Sequence, residues 1–159
     1  MDKIAVFPGS FDPFTIGHES IVMRGLSLFD KIIIAIGYNS NKSGFIPLTN
    51  RIKMINDIFR DEENILVDSY MGLTVEYCQS VKGQYILRGL RTAADFEYER
   101  AIAQVNKSMA PEIESVFILT TPEYTPINSS IVRDIIHHDG DASRFIPKNI
   151  NYKNYLPGT

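Results

Sequence analysis

One segment constrains this chain more than any other: Phe7-Pro8-Gly9-Ser10-Phe11-Asp12-Pro13-Phe14-Thr15-Ile16-Gly17-His18. It follows the apolar run Ile4-Ala5-Val6-Phe7, which has the character of a buried first strand. It precedes Ile21, Val22 and Phe29, which recur at helical spacing. A glycine-containing strand-to-helix loop of this kind attracts anions. The free N–H groups at the helix start and the positive end of its dipole both favour negative charge there. This loop also brings an imidazole, His18, to the mouth of the helix. It fits neither the G-x-G-x-x-G dinucleotide fingerprint nor the G-x-x-x-x-G-K-[ST] phosphate loop. Nucleotide chemistry of another kind is implied.

Short apolar runs alternate with amphipathic segments along the rest of the chain, the pattern of a parallel sheet covered by helices. Strands are expected at 3–7, 31–37, 64–68, 84–88 and 114–120. Thr49 is a candidate N-cap for a helix carrying Ile52, Ile55 and Phe59 on one face. A shorter helix is expected from Leu73 to Val81. Thr92 caps the next, whose Tyr98, Ala101, Ile102, Val105 and Met109 follow the i, i+3, i+4, i+7 pattern of a core-facing stripe. A last helix from about Ser129 should bury Ile131, Val132, Ile135 and Ile136 and end at Gly140. The tail beyond Ile146 packs as a short arm or frays. The expected fold class is therefore α/β. It is a Rossmann-like, open, largely parallel five-stranded sheet with helices on both faces, in a single domain over residues 1–159. In such sheets ligands bind at the carboxyl ends of the strands, where the topology reverses.

Composition narrows the function classes. The net charge of −3 argues against a general nucleic-acid binder, which would be basic. It leaves room for a local cationic pocket from Lys42, Arg88, Arg91 and Arg133. Cys78 is the only cysteine, so an intrachain disulfide or a cysteine-rich metal site is excluded; on an apolar helical segment it reads as core. His137-His138 reads as a helix-end or surface pair. No apolar stretch approaches the roughly 20 residues of a membrane span, and no signal-peptide pattern opens the chain. A cytoplasmic protein without a membrane partner is expected.

Pro8-Gly9-Ser10-Phe11-Asp12-Pro13 followed by Thr15-Ile16-Gly17-His18 resembles the T/HxGH motif of the nucleotidyltransferase superfamily. Further along come Arg88-Gly89-Leu90-Arg91, Asp95-Phe96-Glu97-Tyr98-Glu99, Glu114-Ser115-Val116-Phe117 and Ser129-Ser130-Ile131-Val132-Arg133. In that order they resemble the phosphopantetheine adenylyltransferase branch, over about nine-tenths of the chain. The resemblance implies transfer of the adenylyl group of ATP to 4′-phosphopantetheine, giving dephospho-coenzyme A and pyrophosphate. It also implies Mg²⁺ carried on the ATP phosphates rather than in a protein metal site, a homohexamer of stacked trimers, and coenzyme A as a feedback inhibitor.

Adenylyl transfer needs no covalent enzyme intermediate, so the protein's task is positioning and charge neutralisation. His18 suits this task, with its ring N–H aimed at the α-phosphate. A helix N-terminus disfavours imidazolium, whereas bound phosphates favour it. Thr15 stands where many of the superfamily carry a first histidine and offers a hydroxyl instead. Ser10 can bond a phosphate or merely form the turn. Lys42, on the polar loop Tyr38–Gly44, reads by composition as a solvated lysine. The resemblance gives it the acceptor phosphate, although Gly44-Phe45-Ile46-Pro47 departs from the commoner pattern. Arg88 suits a bidentate grip on that phosphate, or else pairs with nearby acids such as Asp95 and Glu97. The resemblance makes His18, Lys42 and Arg88 the catalytic set, with Ser10, Lys42, Thr74 and Arg88 on the acceptor. ATP would meet Ser10, Phe11, His18, Gly89, Leu90, Arg91 and Glu99. It would also meet the run Tyr124, Thr125, Pro126, Ile127, Asn128, Ser129 and Ser130, where the helix start with Arg133 suits the outer phosphates. Relatives commonly have Ile-Ser-Ser-Ser in place of Ile127-Asn128-Ser129-Ser130; Asn128 is still a competent cap. The rivals are a related transferase using another phosphorylated acceptor and a non-catalytic nucleotide sensor on the same fold.

Overall fold

Strands β1 (Ile4–Gly9) and β2 (Lys31–Gly37) are apolar toward both faces, and alternate residues belong to different cores. Ala5, Phe7, Ile32, Ile34 and Ile36 point into the larger core. Val6 and Ala35 point into the smaller one. Three further strands complete the sheet in the computed structural model, which describes residues 1–158: β3 (Ile65–Tyr70), β4 (Tyr85–Leu90) and β5 (Glu114–Leu119). The order is β3-β2-β1-β4-β5, and every pairing is parallel. The chain reverses its direction of travel across the sheet between β1 and β4. The loops after those two strands therefore share one crevice.

Five helices alternate with the strands. Helices α1 (Ile16–Gly25), α2 (Leu48–Ile58) and α5 (Ser129–His137) cover the larger core with Ile21, Val22, Met54, Ile55, Ile58 and Val132. Helix α3 (Thr74–Ser80) closes the smaller core with Val75 and Cys78, together with Ala110 and Ile113 just past α4 (Ala93–Met109). Burial pushes the Cys78 thiol up to about 11, as fits a core residue. Helices thus lie on both faces, as the patterning predicts.

The strand cores fall where their apolar runs place them, but β1, β3 and β4 each continue two residues beyond the expected end. Ladder bonding carries on through Pro8-Gly9, Ser69-Tyr70 and Gly89-Leu90, where the apolar signal has stopped. Helix α2 begins one residue before Thr49. Pro47 stands at its cap with no side-chain hydrogen bond, and its carbonyl accepts from Asn50 and Arg51 N–H. Thr92 caps α4 as expected, accepting from Asp95 N–H.

The apolar stripe of α4 is the main departure. Tyr98, Ile102, Val105 and Met109 are exposed, at 70%, 39%, 57% and 48%, and the residue α4 buries is Glu99. The helix is amphipathic, but most of its apolar stripe is open to solvent rather than packed in the core. Ile131 of α5 is likewise exposed, while Val132 is buried and Ile135 and Ile136 half-buried. Gly140 closes α5 with its N–H on the Ile135 carbonyl at 2.8 Å. The tail is packed: Tyr152 and Tyr155 are buried, and the Tyr155 hydroxyl donates to Asp57 of α2 at 2.6 Å.

Candidate active site

Thr15 is the N-cap of α1, and its hydroxyl accepts the His18 N–H at 3.4 Å. His18 returns the bond, its Nδ1 accepting the Thr15 N–H at 3.0 Å. This is a capping box with an imidazole where Glu or Gln usually stands. Because Nδ1 accepts, the neutral ring carries its hydrogen on Nε2, which is left for the cavity that His18 lines. Phe11 meets the ring edge-on at 5.0 Å, with Phe14 at 5.2 Å and Phe7 at 6.2 Å. Burial among these rings, reinforced by Arg88 and then Arg91, lowers the His18 pKa to about 3. At neutral pH the side chain is an uncharged donor.

The loop before His18 is braced from a distance. Asp12 is buried, and its carboxylate accepts from the N–H of Phe45 at 2.7 Å and of Ile46 at 2.8 Å. Arg51, also buried, donates through Nη1 to the Ser10 carbonyl at 2.7 Å and through Nε to the Ile46 carbonyl at 2.9 Å. Gly44 passes so close that a Cβ there would stand 2.7 Å from Asp12 Oδ2. The departure Gly44-Phe45-Ile46 therefore has a defined path, clamped beneath the nucleotide-type loop.

Arg88, near the end of β4, does not present a free fork. Its Nε and Nη2 donate to both oxygens of Glu99 at 3.0 and 2.6 Å, and its Nη1 donates to the Pro8 carbonyl at 2.6 Å. The pair forms a shared wall between two cavities. The first, about 310 Å³, opens between β1, α1 and the start of α5; the second, about 260 Å³, opens between β2, α3 and α4. Pro8, Gly9 and Ser10 line both.

Of the expected residues, Ser10, Phe11, His18, Arg88, Gly89, Arg91, Glu99, Tyr124, Ile127, Asn128 and Ser129 converge on the first cavity. Asp95 holds Arg91 through Nε at 3.3 Å, whereas Glu97 pairs with Arg100. Thr74 lines the second cavity with Arg88 and Ser10. Leu90 is turned into the core, and Thr125, Pro126 and Ser130 stand off the cavity walls. Lys42 lies outside both: it is exposed, at the end of a tight turn in which its N–H bonds the Asn39 carbonyl at 3.0 Å. Arg133 is spent on the scaffold, donating to the Asp12 carbonyl at 2.7 Å and to Ser130 Oγ at 3.2 Å.

Residues 6–135 match the cytidylyltransferase-like family. A phosphopantetheine adenylyltransferase of Cytophaga hutchinsonii is 48% identical over 150 residues, covering 94% of this chain and 100% of that protein. One of Bacteroides fragilis is 46% identical over 146 residues, covering 92% and 97%. The chain belongs to the phosphopantetheine adenylyltransferase family. It is accordingly a nucleotidyltransferase. Among solved structures, a putative nicotinate-nucleotide adenylyltransferase from Vibrio parahaemolyticus superposes with a TM-score of 0.68 at 21% identity, over 94% of this chain and 96% of that one. A nicotinic acid mononucleotide adenylyltransferase of Plasmodium falciparum gives 0.66 at 18%, over 96% and 94%. These two likenesses concern the fold.

In this member of the phosphopantetheine adenylyltransferase family, sequence reasoning missed the braces Asp12 and Arg51 and most of the second cavity. Gly37, Tyr70, Ile86, Ile102, Asn106, Ser115 and Phe117 line that cavity from five elements, β2, β3, β4, α4 and β5. Local spacing joins only Ile102 with Asn106 on α4 and Ser115 with Phe117 on β5. The pairing of Ile86 with Ser115 and of Arg88 with Phe117 places these four on one face of the sheet.

Proposed function

We propose that the chain transfers the adenylyl group of ATP to 4′-phosphopantetheine, giving dephospho-coenzyme A and pyrophosphate, the penultimate step of coenzyme A synthesis. The observation that carries this reading is the pair of adjoining cavities that share Pro8, Gly9, Ser10 and the Arg88–Glu99 pair, with the His18 Nε2–H on one side. ATP occupies the first cavity, with its adenine toward Tyr124 and Ile127 and its phosphates near Ser10, His18, Arg91 and the Asn128–Ser129 helix start. The acceptor's arm occupies the second, beside Thr74.

A phosphate oxygen of the acceptor attacks the α-phosphorus in line. The bond from that phosphorus to the bridging oxygen breaks, and pyrophosphate leaves on the opposite side. The neutral His18 donates Nε2–H to the oxygens that gain charge in the transition state, a preorganised contribution. Arg88 keeps two unspent N–H groups after its three bonds. It grips the acceptor phosphate with those, while Glu99 fixes its plane. Lys42 brings a further positive charge from its turn.

Among the described residues no group of three His, Cys, Asp or Glu side chains is placed to hold a metal ion. In this reading the nucleotide enters as its magnesium complex, with the ion on phosphate oxygens and waters. A cytoplasmic homohexamer subject to feedback by coenzyme A belongs to the same reading. Self-association is supported by the exposed row Tyr98, Ile102, Val105 and Met109 on α4. No helix among the described residues is long and apolar enough to cross a membrane.

Pyrophosphate release from ATP tests the reading, with 4′-phosphopantetheine, nicotinamide mononucleotide and glycerol 3-phosphate offered in parallel. Release is expected with the first alone. Comparable release with either of the others, and none with the first, overturns it.

A further inference from the structure

Tyr70, the last residue of β3, stands on the wall of the second cavity with its register partner Gly37 and with Thr74. The chemistry described above gives this tyrosine no role, yet its ring is held from several sides. It stacks on Tyr77 of α3 at 4.7 Å and 20°. Tyr77 is itself anchored, its hydroxyl donating to Asp68 Oδ2 at 2.7 Å. Burial and that bond raise the Tyr77 pKa above its ordinary value, so it remains a donor. The Tyr70 hydroxyl lies 2.8 Å from Thr74 Oγ1 in a hydrogen bond. Gly37 gives the ring its room: a Cβ at that position would stand 3.3 Å from Tyr70 Oη and 3.4 Å from Cζ.

The Tyr70–Thr74 bond uses one hydroxyl hydrogen and one lone pair. One further hydrogen and several lone pairs of the two hydroxyls remain. Across the cavity are Asn106 and Ser115, both neutral and polar, and the charged side chains on its wall, Arg88 and Glu99, are paired with each other. Such a lining fits an uncharged chain that carries amides or hydroxyls and leaves no partner for a second charge. A hydroxyl already locked in position spends little ordering entropy on meeting its ligand.

Resting on the reading of the second cavity as the acceptor site, we infer that Tyr70 is a specificity-determining residue for the acceptor. Its hydroxyl, paired with Thr74, hydrogen-bonds an amide or hydroxyl of the acceptor's arm. Gly37 leaves the ring the room to stand there.

Calorimetric titration of the full chain with 4′-phosphopantetheine and, separately, with ATP tests the inference. Tyr70→Phe should weaken 4′-phosphopantetheine by about two- to tenfold, the worth of one neutral hydrogen bond. The same variant should bind ATP as the parent does. Gly37→Ala crowds the hydroxyl and should cause a smaller loss, one that shrinks in a Tyr70→Phe background, where the nearest atom is gone. A merely structural role predicts equal losses for both ligands and additive losses in the double variant. Either result overturns the inference, as does unchanged acceptor affinity in Tyr70→Phe. A parent chain that fails to bind 4′-phosphopantetheine refutes the acceptor reading itself, whereas a parent that binds it and a Tyr70→Phe variant that binds it equally refute the role of Tyr70 alone.

Discussion

On one side of the Arg88–Glu99 pair the cavity wall is built chiefly from the continuous β1–α1 loop, with its ring, its hydroxyls and its helix start. On the other side residues arrive in ones and twos from β2, β3, α3, β4 and β5, and as one face of α4. The first wall is tied by short-range bonds such as Thr15 to His18, and it gathers Arg91, Asp95 and the start of α5 around it. The second is neutral apart from the shared pair. One sheet thus offers a charged-phosphate environment and an uncharged-arm environment a side chain apart. On the proposed reading, anion recognition would be carried by local backbone geometry, and recognition of a neutral chain by tertiary placement.

The comparison breaks first at His18. If its Nε2–H serves the transition state, His18→Ala should lower kcat by about 10²–10³, or about 2.7–4 kcal/mol, while ATP still binds. Single-turnover rates beside a calorimetric ATP affinity check it. A folded variant with near-parental kcat would reduce His18 to a helix cap and make the two sides chemically alike.

Glu99→Gln probes whether the wall is shared. The Arg88 side chain is 34% exposed and that of Glu99 11%, so solvent moderates the loss of charge. A stability decrease of about 1–3 kcal/mol is expected by denaturant unfolding, with weaker binding of both ATP and 4′-phosphopantetheine. A loss confined to one ligand would assign the pair to that side.

The smallest expected effect is in acid. The His18 pKa is about 3 in the folded chain and near 6.5 when unfolded. The unfolded state therefore binds the extra proton between those values, and stability must fall as pH drops through that window. Between pH 7 and 5 the His18 share is at most about 2 kcal/mol. It should vanish in His18→Gln, measured as the difference between the two unfolding curves. Equal acid sensitivity in both proteins would mean that the ring is not desolvated, removing the contrast with the second cavity.

The same contrast governs what could be read from the chain. Buried strands announce themselves because residues such as Ile32–Ile36 are apolar toward both faces, and the Gly9–His18 loop is contiguous. The α4 stripe misled because periodicity reports amphipathicity without saying which way the apolar side faces. The Asp12–Ile46 and Arg51–Ser10 bonds span 34 and 41 residues, and no spacing rule connects such partners. Tyr70 and Gly37 meet only because two strands pair in register.

The clamp on Asp12 also sets a timescale. Phe45 and Ile46 are hydrogen-bonded to it while the 39–42 turn is exposed, so the element that carries Lys42 is a short tip on an anchored root. Loop motions of that size run in nanoseconds to microseconds, against a typical enzymatic turnover of about 10 per second. If Lys42 serves the transfer, its approach would therefore be a rapid pre-equilibrium. Its contribution would register as an occupancy that scales every turnover, and never as a separate slow phase.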